Sequence, residues 1–204
     1  MEWILSQATG SPQTALFSAT MPIEIRRIAN KYLRKPVTVE IEHKTRTVAA
    51  TDQRYINVSE KQKLDALTHL LETELGEGEA TLIFTRTKVG AAELSEKLQA
   101  RGHAAEAMHG DMDQSQRESV IRRLRAGQVE VVVATDVAAR GLDVERISHV
   151  INYDIPNDTE SYVHRIGRTG RAGRAGKSIL FVTPREVRMM KNIERYTGQK
   201  MTTM

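Results

Sequence analysis

Short runs rich in β-branched residues alternate with helical stretches along most of this sequence, which predicts an α/β fold: a parallel sheet flanked by helices. Two further observations support it. The run Val131-Val132-Val133 is apolar on both faces, as a central parallel strand requires. The helical stretches also carry legible starts and stops. The strand candidates are Thr14 to Ser18, Val37 to Ile41, Arg54 to Val58, Thr81 to Thr85, Glu130 to Ala134, Ser148 to Tyr153 and Ser178 to Val182. Asp113 can cap a helix whose third position is Gln116, a capping box, with Val120, Ile121 and Leu124 as its buried stripe and Gly127 as its stop. Pro184 suits the first position of a last helix that Gly198 would end.

Composition sets outer limits. With 204 residues the chain can fill one substantial core and still carry part of a second unit. Hydrophobic residues at 40% and charged residues at 27% are ordinary for a folded protein and exclude a disordered chain. The absence of cysteine excludes disulfides and thiolate metal sites, and Met1 to Gly10 lack a secretory pattern, so a cytoplasmic setting is expected. No apolar run approaches the ~20 residues of a membrane-spanning helix, so no membrane partner is expected. A net charge of +4 is too mild to predict more than a weak preference for polyanions.

The polar segment Glu42 to Asp52 has neither a helical nor a strand period and reads as a linker. Before it stand only a strand and the helix Ile23 to Arg34, which cannot bury a core alone. Residues 1–41 are therefore expected to be the incomplete end of one domain, 42–52 a linker, and 53–204 a whole second domain. The apolar positions Ile23, Ile28 and Leu33 of the first segment leave association through residues 1–41 open.

Two stretches carry chemistry. In His164-Arg-Ile-Gly-Arg-Thr-Gly-Arg171, Asp158 can cap the helix, Tyr162, Val163 and Ile166 can face a core, and Arg168 and Arg171 emerge three residues apart. Two planar guanidinium forks so placed can reach one polyphosphate, while Gly167 and Gly170 let the backbone come close. The bland reading is a solvated basic loop. The second stretch, Ala134-Thr-Asp-Val-Ala-Ala-Arg-Gly-Leu-Asp143, follows the apolar strand, where ligands of open α/β sheets bind. Its bland reading makes Asp136 a helix cap and pairs Asp143 with Arg140.

Together these stretches resemble motifs V and VI of superfamily 2 helicases in the wording of the DEAD-box family. Ser18-Ala-Thr20 before Met21-Pro22 looks like motif III, Leu82-Ile-Phe-Thr-Arg-Thr-Lys88 like motif IV, and His109 to Arg117 like the family's Gln-x-x-Arg segment. Five matches fall in family order. Val144 to His149 and Asn192 to Arg195 are most similar to the bacterial cold-shock branch. The chain contains neither a phosphate loop nor an Asp-Glu-Ala-Asp run. It carries half of such an active site.

The resemblance implies the second RecA-like domain of an ATP-dependent RNA helicase, preceded by a remnant of the first. It makes Arg168 and Arg171 arginine fingers on the γ-phosphate, Asp143 the ribose acceptor and Gly141 part of the phosphate side. Thr87, Gly110, Arg117 and Thr135 match positions on the RNA sugar-phosphate backbone, so binding to single strands and short duplexes is expected to be independent of sequence. His164 and Arg165 would link motif VI to its neighbours, and Ser18 and Thr20 would couple the first domain to closure. ATP with Mg²⁺ is implied, the metal being held mainly by the missing first domain and by no metal ligand in this chain. A stand-alone RNA-binding or regulatory domain without ATPase activity is the alternative, and a DNA translocase of the same superfamily a third.

Overall fold

A computed structural model describes residues 2–7, 10, 13–18, 21, 23–39, 51–171 and 173–204. It contains two compact units, Met1–His43 and Lys44–Met204. The first holds α1 (Glu2–Gln7) and α2 (Ile23–Tyr32), the latter with Glu24 in its first turn and Lys31 in its last, as the helix dipole favours. No residue of α2 is buried. Thr14 to Ser18 and the described part of Val37 to Ile41 form no strand, correcting the expectation for both. A strand exists only where a neighbouring strand continues its hydrogen-bond ladder, and the described residues of that unit form no such ladder. The predicted linker lies outside the described residues except for Thr51 and Asp52, which belong to a strand and so correct its carboxyl end.

The second unit begins with β1 (Thr51–Asn57), a short 3₁₀ turn (Glu60–Gln62), α3 (Lys63–Glu74), β2 (Ala80–Phe84), α4 (Lys88–Ala100) and β3 (Ala105–Met108). It continues through α5 (Gln114–Arg125), β4 (Val131–Ala134), β5 (Ile147–Asn152), α6 (Thr159–Ile166), β6 (Gly176–Val182), α7 (Val187–Thr197) and β7 (Thr202–Thr203). The sheet order is β3-β4-β2-β5-β6-β1-β7, and every pairing is parallel. This is the expected α/β sheet.

Alternation along the strands decides which helix covers which face. Leu82, Phe84 and Val132 pack with Val120 and Leu124 of α5 and with Ala138, Leu142 and Val144 of the turn after β4. Ile83, Val131, Val133 and Phe181 face the other way, onto Leu67 and Leu71 of α3 and Leu94 and Leu98 of α4. Leu180 and Val182 meet Tyr162 and Ile166 of α6 and Met190 and Ile193 of α7. The expected stripe of α5 and core face of α6 are both present.

The helix signals are partly obeyed. Asp113 accepts from the Gln116 N–H at 2.8 Å and its own N–H donates to the Gln116 side chain at 2.9 Å, closing the capping box. Gly198, at φ +69°, ends α7. That helix starts at Val187, however, not at Pro184, because the Thr183 N–H and hydroxyl both donate to the Glu186 carboxylate, at 3.0 and 2.7 Å, holding a turn instead. β3 and β7 were not predicted. Ala105-Glu-Ala-Met108 has little strand propensity and is a strand because β4 lies beside it.

All three core clusters lie within Lys44–Met204. Removing residues 1–43 should therefore move the melting midpoint by less than about 3 °C, the shift expected of a 1 kcal/mol change in a domain this size. Thermal unfolding followed by circular dichroism checks this, and loss of the cooperative transition would place part of the core in the first unit.

Candidate functional site

The site is organised by one buried cation. Arg165, on α6, is 2% exposed, and its Nε and Nη2 donate to the two oxygens of Asp136 at 2.6 and 2.8 Å. Its Nη1 donates to Asn152 Oδ1 at 3.2 Å and to the Asp154 carbonyl at 2.7 Å, and the guanidinium lies 4.9 Å over the Phe84 ring. Asp136 is thus an ion-pair partner between motifs V and VI rather than a helix cap. The Asp154 side chain reaches further, accepting from the Arg86 N–H at 2.9 Å and pairing with the buried Lys63 at 3.4 Å. β5 therefore ends in a polar knot that holds the motif IV turn and motif VI together.

α6 runs from Asp158, whose carboxylate caps it by accepting from the Ser161 N–H at 2.7 Å, toward the start of the neighbouring strands. Past Gly167 the chain turns, and the Thr169 hydroxyl spans the Ile147 and Ser148 carbonyls at 2.8 and 2.9 Å. That bond fixes Arg168 and Arg171 beside the loop after β4. Arg168 donates to the Leu142 carbonyl at 3.1 Å, and Arg171 donates to the Gly167 carbonyl at 2.7 Å and forms an ion pair with Asp143. Asp143 thus pairs with Arg171, and Arg140 makes no such bond. Burial, reinforced by the neighbouring Arg171 charge, lowers the Arg168 pKa from its ordinary value. A cavity of about 520 Å³ opens here, lined among others by Asp143, Glu145, Arg168, Arg171 and Arg174.

Motif V does not sit wholly at the carboxyl ends of the strands, as the sequence reading had it. Because β4 and β5 are both parallel to β2, the loop between them must cross the height of the sheet, and it does so by packing Ala138, Ala139 and Leu142 onto it. Thr135 stays at the carboxyl end of β4, whereas Asp143 lies near the amino end of β5. Gly141, at φ +75°, turns the chain between Arg140 and Leu142 in a conformation that side chains resist.

The opposite edge gathers the remaining candidates. Thr87, Gly110 and Thr135 follow β2, β3 and β4, three neighbours in the sheet, so their turns form one face. Thr87 is exposed and caps α4, accepting from the Gly90 N–H at 3.0 Å. Lys88 and Asp111 bridge the first two turns at 2.7 Å. Gly110 is exposed, and Arg117 donates to the Ala138 carbonyl at 2.9 Å, tying α5 to motif V. His164 is exposed and its carbonyl accepts from Arg168 at 3.3 Å. Ser18 is exposed within the first unit, and Thr20 lies outside the described residues. Among the described residues no group of three His, Asp or Glu side chains could hold a metal ion, and no helix is long and apolar enough to cross a membrane.

Sequence reasoning missed Lys63, Asn152, Asp154 and Gly176. Asn152 and Asp154 left a signal, polar residues at the close of an apolar strand. Lys63 left none.

An all-parallel sheet with arginines presented beside one loop and an open strand-end face is a RecA-like domain. Residues 62–173 match the family model of the helicase conserved C-terminal domain. The chain is 55% identical over 202 residues to the ATP-dependent RNA helicase DeaD of Mycobacterium tuberculosis, covering 99% of this chain and 35% of that protein. It is 52% identical over 204 residues to the DEAD-box ATP-dependent RNA helicase CshA of Bacillus cereus, covering 100% and 38%. Among solved structures it resembles a DEAD box protein of Methanococcus jannaschii (TM-score 0.71, 39% identity, 100% of this chain and 54% of that one) and Saccharomyces cerevisiae Dbp5 bound to RNA and ADP BeF3 (TM-score 0.81, 36% identity, 92% and 50%). The chain belongs to the DEAD-box RNA helicases and carries their carboxy-terminal RecA-like domain. It spans a little over a third of the length of the curated relatives it matches.

Gly176 tests the placement of motif VI. A Cβ there would stand 2.5 Å from the Gly170 nitrogen and 2.7 Å from Thr169 Cγ2, so Gly176→Ala must push the arginine-bearing turn away from β6. Denaturant unfolding should show a loss of about 1–3 kcal/mol, the usual cost of overpacking; an unchanged midpoint would mean that the turn is not held there.

Proposed function

We propose that this chain is the second half of an ATP-dependent RNA helicase, supplying arginine fingers and part of the RNA-binding surface for unwinding or remodelling short duplexes. The observation that carries the reading is the division of its polar residues. Arg168, Arg171 and Asp143 converge on one cavity, while Thr87, Gly110 and Thr135 occupy a separate face at the strand ends. The cavity's guanidinium forks suit phosphate oxygens, and the exposed carboxylate of Asp143 suits a ribose hydroxyl. Asp143 and Arg171 hold each other until ATP arrives, when the ribose takes Asp143 and the γ-phosphate takes Arg171. Gly141 shapes the loop on the phosphate side.

Arginine fingers at phosphoryl transfer are worth ~10³ to 10⁵ in rate, because the reaction depends on neutralising charge around the transferred group. Mg²⁺ accompanies the ATP and is held mainly by the first RecA-like domain, the partner across the nucleotide. Ser18 and Thr20, on residues 1–41, belong to that domain's end and couple it to closure. His164 and Arg165 link motif VI to its neighbouring motifs. Thr87, Gly110, Thr135 and Arg117 meet sugar and phosphate, so single-stranded RNA is bound without regard to sequence, in the cytoplasm. Residues 1–41 also offer apolar positions through which chains can associate.

Two outcomes follow. The chain alone should hydrolyse no ATP above background with or without RNA; RNA-stimulated turnover surviving purification to homogeneity would overturn the half-site reading. With the first domain joined upstream, Arg171→Ala should abolish RNA-stimulated hydrolysis and spare RNA binding without nucleotide. Arg117→Ala should instead weaken binding of every RNA sequence and reduce the slope of log affinity against log salt by about 0.7, the value per neutralised phosphate. Steady-state ATPase and salt-titrated binding separate the two, and identical profiles would contradict the assignment.

A further inference from the structure

Most cations of the second unit are committed to partners within it. Lys88 pairs with Asp111, Arg101 with Asp65, Arg123 with Glu106 and Lys177 with Glu74. α7 is different. Arg188, Lys191 and Arg195 are all exposed, and none has a hydrogen bond or ion pair among the described residues; the same holds for Arg185, just before the helix. At 3.6 residues per turn the three helical cations fall within about 60° of one another and span about 10 Å of the axis. They form a stripe facing away from Met190 and Ile193, which the core buries. Salt bridges within the helix would neutralise such a stripe, but Glu194 is turned aside, accepting from the Met201 N–H at 2.9 Å, and Glu186 accepts from Thr183.

The position of the stripe points to its ligand. Glu186, at the entrance to α7, lies 3.6 Å from Arg86, whose N–H is held by Asp154 in the motif IV turn that presents Thr87. The stripe therefore begins beside the strand-end face and leads away along α7. Three cations in a line track a polymer backbone rather than grip one phosphate. Tyr196, 58% exposed and next to Arg195 but about 100° round the helix from it, adds a ring beside the stripe on which a base can stack, a contact that an acidic peptide would not need.

We infer that the exposed face of α7 is a second RNA-backbone contact, which takes the segment of single strand leaving the strand-end face. This rests on the reading that Thr87, Gly110, Thr135 and Arg117 bind RNA. The stripe binds whatever sequence arrives and contributes only when the RNA is long enough to reach it.

The test uses this chain with two fluorescent oligouridines, one of about 6 nucleotides and one of about 18, spanning the usual range of single-strand site sizes. Arg188→Gln/Lys191→Gln/Arg195→Gln should weaken the long RNA and reduce its salt slope by about 2, three times the single-strand value, while leaving the short RNA unchanged. Arg188→Lys/Arg195→Lys, which keeps the charge, should retain the slope and so exclude a folding defect. Arg117→Gln should weaken both RNAs; its failure to do so would refute the strand-end reading, and with it the path proposed for the strand, whatever the triple variant shows. If the triple variant binds the long RNA as before, as a docking site for an acidic protein would, or loses both lengths equally, the inference is overturned.

Discussion

A guanidinium taken wholly out of water is the constraint on which this site depends. Moving a charge into a protein interior costs several kcal/mol unless its donors are satisfied, and Arg165 meets that demand with four hydrogen bonds and an aromatic face. Its partners come from the turn after β4, the end of β5 and the ring of Phe84 in β2. Because the partners sit on different elements, matching this charge ties those elements together. Asp154 extends the same logic through its side chain to Arg86 and Lys63, which places the motif IV turn.

From that anchor the division of labour follows. α6 leaves the strand-end face and delivers Arg168 and Arg171 to the other edge, while the motif V loop crosses the sheet in the same direction and ends at Asp143. Each carries one end toward the proposed RNA face and one toward the proposed ATP cavity. Closure on a nucleotide held by a first domain would pull on Asp143 and Arg171 and be felt at Thr135 through a loop packed on the core.

Much of this was legible in the sequence. The apolar run Val131 to Val133 and the Asp113 box each acted locally and took the predicted form, and Arg168 and Arg171 line one cavity. What could not be read was set by contacts distant in the chain. β3 is a strand because β4 adjoins it, whereas Thr14 to Ser18 has a strand-like sequence and joins no sheet among the described residues. The crossing of motif V depends on β4 and β5 both being parallel to β2, which residue types alone do not state. Lys63 looks like a helix-surface lysine until Asp154 and Tyr153 are placed around it.

The central claim is that Arg165 and Asp136 act as one unit, and a double-mutant cycle on unfolding free energy tests it most directly. Arg165→Met strands the Asp136 carboxylate and Asp136→Ala strands a buried cation, so each alone should cost about 3 kcal/mol, the lower end for a broken buried pair because Asp136 is partly exposed. Together they should cost little more than the larger single loss, a coupling of about 2–3 kcal/mol. Losses that simply add would mean the two side chains are neighbours without being partners, and would contradict the account.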